Sequence, residues 1–187
     1  MEDTSMDIVG LFVAAILMFL VPLFIIAGKS DDVSQLIAQT ATAEFVNEVT
    51  RNGTITSDAY QRFTSTLFSS GNTFDIDLEV KILDETTSKT VTDADTEKIG
   101  NNSYYSLYTS QVEDKIGLSS ATAGNNNRYG KIILKQGDQV SVTVKNSSKT
   151  LSQALRSFYY NVTGDDVHII VAASAGTVAI NGSTGTT

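Results

Sequence analysis

Few residues in this chain are of the types that build a catalytic centre. There is one histidine and no cysteine. Thiolate chemistry, zinc ligation and the usual nucleophile–base pairs therefore lack their parts. His168 lies in the apolar context Val167-His-Ile-Ile-Val171 and reads as a satisfied sheet histidine. Gly28-Lys29-Ser30 looks like the end of a phosphate-binding loop. The first glycine of that motif would fall at Leu23, and no strand precedes it. Asp93, Asp95 and Glu97 have the odd spacing of a calcium loop, but Lys98 occupies the place of its sharp-turn glycine. A solvated acidic loop is the better reading. Asp75, Asp77 and Glu79 alternate with apolar residues and read as the wet face of a strand. Tyr104, Tyr105 and Tyr108 read as core in preference to a surface facing a neighbouring subunit. We expect no metal, no cofactor and no enzymatic activity. One carboxylate stands apart: Asp7, at the edge of a long uncharged run.

That run, Ile8 to Ala27, is IVGLFVAAILMFLVPLFIIA, and fourteen of its twenty residues are Ile, Leu, Val or Phe. Twenty residues rise roughly 30 Å as a helix, the thickness of a bilayer's hydrocarbon core. The fourteen contribute on the order of 4–8 kcal/mol toward insertion, less what Gly10 and Pro22 subtract. A buried helix of a soluble protein does not fit, because the run is apolar all round and the rest of the chain is too small and polar to wrap it. A cleaved signal peptide fits poorly. The flank Met1-Glu-Asp-Thr-Ser-Met-Asp7 is acidic, and Ile25-Ile-Ala-Gly-Lys29 is a weak cleavage site. No second run of this kind follows.

The rest is a polar head rich in Thr, Ser, Asn and Gly. The 187-residue chain has net charge −8. Its first 27 residues hold three acids and no base, so the head carries a net charge near −5. An acidic head does not suit nucleic acid. Lys29 just after the run, with no base before it, favours a head on the inside by the positive-inside count. Long domains translocate largely regardless of charge, and the composition places this head outside. N-x-S/T triplets occur at Asn52, Asn101, Asn146, Asn161 and Asn181, mostly what chance supplies in such a composition.

The helical pattern continues past the run. Val33, Leu36, Ile37, Ala41, Phe45 and Val49 recur near a 3.6-residue period, so one helix from about Ile8 to Thr50 is expected, ended by Asn52-Gly53. A second helix starts at a Thr56 or Ser57 cap, buries Tyr60, Phe63 and Leu67, and closes at Gly71. Thr73 to Leu83 alternates cleanly as a strand. Residues 84–127 are mostly loop, with Tyr104 to Tyr108 opening a strand or short helix. Tyr129–Gln136 and Gln139–Lys145 read as a hairpin across Gly137-Asp138. A third helix is capped by Ser148 or Thr150 and buries Leu151, Ala154, Leu155 and Phe158. Val167–Ala172 and Thr177–Ile180 flank Ala173–Gly176 as a last hairpin.

The expected fold is α+β: a long N-terminal helix, half apolar and half amphipathic, packed on a small, mostly antiparallel sheet. It divides into an apolar stalk at 1–28, an amphipathic continuation at 29–52, and a head at 53–187. This arrangement resembles type IV pilins and pseudopilins, most closely TadE-like, minor-pilin-like proteins of Gram-positive bacteria. The resemblance rests on the stalk with its mid-run Pro22. It rests also on Gly53-Thr-Ile-Thr56, Tyr60, Phe63, Leu67 and Gly71 followed by an alternating strand. It implies a filament subunit that sits in the membrane before assembly, engages pilus assembly machinery, and polymerises with itself. It also implies that an acid near the mature N-terminus pairs with a neighbour's amine. Asp7 is the expected residue, with Glu2 and Asp3 as further candidates, and Leu11, Ala14, Leu17, Val21 and Pro22 as the packing surface. The family's processing glycine has no counterpart before the run. The competing reading is a single-pass surface protein whose head binds a partner without polymerising.

Overall fold

The computed structural model describes residues 2–83, 104–118, 130–148 and 170–182, with side chains from Met6 onward. Helix α1 spans Glu2–Asn52, 51 residues, or about 75 Å. It runs through Pro22 without a break. Pro22 has no N–H to offer the carbonyl of Met18. Gly53 ends α1 in the left-handed region, at φ 62°, with its N–H on the Val49 carbonyl at 2.8 Å. Strand β1 (Thr54–Thr56) leads directly into α2 (Ser57–Phe68). Of the two expected caps, Thr56 serves: its hydroxyl accepts the Ala59 N–H at 3.1 Å. Ala59, Tyr60, Phe63 and Leu67 are the buried face of α2, and Gly71 (φ 78°) closes the turn after it.

Strands β2 (Phe74–Leu83) and β3 (Tyr104–Tyr108) are followed by helix α3 (Thr109–Lys115) and strands β4 (Lys131–Ile133), β5 (Gln139–Asn146) and β6 (Val171–Thr177). Among the described residues, four strands form an antiparallel sheet in the order β3-β2-β5-β6, and β1 pairs with β4. The inner face carries Leu78 and Val80 of β2, Val140, Val142 and Val144 of β5, and Ala172 of β6, all buried. Asp75, Asp77 and Lys81 point the other way, as the alternation required. The fold is thus α+β, with the long helix laid on a small antiparallel sheet. Phe45 of α1 stacks on Phe63 of α2 (centroids 4.8 Å apart) and meets Tyr60 edge-on, locking the two helices together.

Four expectations need correction. Residues 131–145 are not a hairpin: β4 pairs with β1, and β5 with β2 and β6. Between β4 and β5 the chain turns over Lys135–Asp138. The buried Asp138 carboxylate accepts the N–H of Lys135 at 2.8 Å and that of Leu83 at 2.9 Å, so the turn is pinned to the end of β2. The last expected hairpin is one strand, β6, and Ala173–Gly176 lie inside it. Its inward-facing members, Ser174 and Gly176, are small because α1 lies against that face. A Cβ on Gly176 would come within 2.9 Å of Thr50 Cγ2 and 3.2 Å of Val46 Cγ1.

The buried stripe of α1 is also shifted. Val33 and Leu36 are exposed, at 56% and 62%, while Ser34, Ala38 and Thr42 are buried beside Ala41, Phe45 and Val49. Small residues let the sheet approach closely, and the buried hydroxyls are satisfied within α1: Ser34 donates to the Ser30 carbonyl and Thr42 to that of Ala38. Tyr104, Tyr105 and Tyr108, read as core, are surface residues on β3, the sheet's edge among the described residues. Of the two readings of Tyr104–Tyr108 the strand holds, and helix α3 begins only after it, at Thr109. The third helix at 148–158 lies, but for Ser148, outside the described residues, as do His168, the acids at 93–97, Asn101 and Asn161.

Candidate functional site

Among the described residues, the largest unpartnered feature is the first half of α1. It is long and apolar enough to cross a membrane: its best 18-residue window has mean hydropathy 3.0, and none of that window is buried against the head. From Met6 to Ile26 every large apolar side chain is exposed, up to 78% at Phe19. A lone helix cannot keep such a surface in water, so it must be covered.

The expected assembly residues fall on this helix. Asp7, Leu11, Ala14, Leu17, Val21 and Pro22 are all exposed. Asp7, Leu11, Ala14 and Val21 follow steps of four, three and seven and share one stripe, with Leu17 and Pro22 on its flanks. Glu2 and Asp3 belong to the first turn of α1, and their side chains lie outside the described residues. Nothing from the head reaches this stripe among the described residues.

Beyond the apolar run come Lys29, Asp31 and Asp32, where the helix meets water. Gly28-Lys29-Ser30 is interior helix, so no phosphate-binding loop forms there. Past these charges, Val33 and Leu36 extend the exposed apolar surface on the side away from the sheet. They stand roughly 9 and 13 Å above Ala27, past the outer edge of a ~30 Å hydrocarbon layer centred on the run. Lipid tails do not reach that far.

Sequence reasoning missed one functional side chain on the opposite flank. It is Gln35, a polar residue between the apolar positions Val33 and Leu36. Its Nε2 donates to the Val171 carbonyl at 2.7 Å, and its Oε1 accepts the Val171 N–H at 3.2 Å. The amide thus pairs with the outer edge of β6 as a strand residue would, and fixes the stalk to the head where they part. A polar residue beside a sheet edge leaves no periodic signature, so pattern reading could not find it.

The described residues of the head offer little chemistry. A half-open cleft between α1 and α2, roughly 170 Å³, is lined by Glu44, Glu48, Arg62 and Thr66 over Phe45 and Phe63. Arg62 and Glu48 close its rim at 2.6 Å, exposed to solvent. Tyr60 donates to Glu113 Oε1 at 2.7 Å, and burial, reinforced by that hydrogen bond and the nearby carboxylate charge, pushes its phenol above the ordinary range. Both are structural contacts. Among the described residues, no three His, Asp or Glu side chains gather where a metal could sit. The chain matches no known family model, no curated protein and no solved structure. What remains to indicate function is α1 and what must cover it.

Proposed function

We propose that this chain is a structural subunit of an extracellular pilus-like filament, not an enzyme. The stalk is held in the cell membrane before assembly. Assembly machinery then draws it into a bundle with copies of itself, which forms the filament core, and the heads make the outer surface. The observation that carries the reading is the exposed pair Val33 and Leu36, beyond the charges that end the apolar run. A bilayer covers Ile8–Ala27 but leaves these two side chains in water. Stalks of other copies cover both regions together.

Negative-stain electron microscopy of material sheared from cells, with mass spectrometry of its N-terminus, tests this. Thin filaments containing the chain are the expected result. Recovery only as a detergent-solubilised monomer would favour the single-pass surface protein. Asp7→Ala sharpens the test: the filament reading expects assembly to be lost while membrane insertion persists. Unchanged filaments would remove Asp7 from the assembly surface.

A further inference from the structure

The charges along the first half of α1 are few and regularly placed. From Met6 to Ser30 there is one acid, Asp7, and one base, Lys29. Both are exposed, and neither has an ion-pair partner among the described residues. They are 22 positions apart, roughly six turns and 33 Å, so they lie on the same side of the helix but cannot meet within one chain. Each heads the same spacing. Asp7 is followed by Leu11 and Ala14 at i+4 and i+7, and Lys29 by Val33 and Leu36 at i+4 and i+7. All six side chains are exposed. The buried Ser34, Ala38 and Ala41 mark the opposite side, where the sheet sits.

We propose that a second copy of this chain docks on this face with its stalk displaced by 22 residues along the axis. Asp7 of one copy then pairs with Lys29 of the next. Leu11 lies against Val33, and Leu36 fits over the small Ala14. The inference rests on the filament reading and supplies its register. Each copy presents its lower triplet to one neighbour and its upper triplet to another, a head-to-tail contact that propagates instead of closing. The heads, on the far side of α1, point away from the contact. A carboxylate carried out of the bilayer inside an apolar bundle is tolerable only when paired, and Lys29 is the only base in the first fifty residues.

The chain contains no cysteine, so introduced pairs report cleanly. Filaments of the double variant Leu11→Cys/Val33→Cys, mildly oxidised, should yield a ladder of disulfide-linked multimers on a denaturing gel. Each single variant should give nothing beyond a dimer. The two sites are roughly 33 Å apart on one helix, so the bond cannot form within a chain. Charge reversal is the second arm. Asp7→Lys and Lys29→Asp should each cut filament yield at least ~10-fold, and the double reversal should recover most of it. Filaments that show neither ladder nor rescue would overturn this register and leave the filament reading standing. Absence of filaments from the unaltered chain would overturn both.

Discussion

Single residues in the head are held by burial and by hydrogen bonds that sequence patterns do not display. Asp138 is the clearest case: a charged side chain, 1% exposed, stabilised by two backbone N–H groups from separate segments. Gly53 is required twice over, by its φ of 62° and by the Gly182 backbone, whose N would lie 2.5 Å from an added Cβ. Tyr60 gives a test by pH. Its phenol titrates above the ordinary value of 10.0 in the folded head and at that value when unfolded. Its contribution to stability is therefore intact below about pH 10 and is lost as pH rises through the raised folded value. Tyr60→Phe should remove this alkaline loss and cost about 1 kcal/mol at neutral pH, since the released Glu113 can turn to water. Denaturant unfolding at pH 7 and pH 11 checks both parts. An unchanged alkaline slope would assign the effect to other tyrosines.

At the scale of elements, the decisive contact is α1 against β5 and β6. The sequence period located an amphipathic helix correctly, but the large apolar residues near its start, Val33 and Leu36, face away from the head. The residues facing inward, Ser34, Ala38 and Thr42, are small. A sheet edge with Ala172, Ser174 and Gly176 on its inner face accepts only small partners. Ala38→Leu should therefore overpack this contact and destabilise the head by about 1–3 kcal/mol. Leu36→Ala should change head stability by less than about 0.5 kcal/mol. Chemical denaturation followed by circular dichroism separates them. The reverse order of effects would restore the stripe expected from periodicity alone. The two misread hairpins fail for a related reason. Strand pairing is chosen by which edges meet in space, and β4 finds β1 across more than seventy residues.

For the whole molecule, the stalk and the head answer to different solvents. The head buries its own core, and the stalk buries almost nothing until something covers it. Leu17→Asp places a charge at the centre of the run, at a cost of about 2.5–3.5 kcal/mol for insertion. The variant should be released from membranes by alkaline wash where the unaltered chain stays bound. Retention of the variant would mean that the stalk is sheltered by protein, not by lipid.

What the sequence by itself determined is the stalk, its length, the helix continuing beyond it, the start and end of α2, and the alternation of β2. Each is set by local chemistry: uninterrupted apolarity, a cap residue, a glycine in the left-handed region, a period of two. Tertiary structure alone decided which face of α1 carries the head, which strands pair, and that Asp138 and Gln35 act as ties between segments. Those outcomes depend on how closely two surfaces approach and on which edge groups lack partners, and neither is encoded in the spacing of residues along one element. The candidate site divides the same way. Asp7 and the apolar stripe were legible as an unpaired charge and an uncovered surface. The exposure of Val33 and Leu36 became visible only once the sheet had taken the other side of the helix.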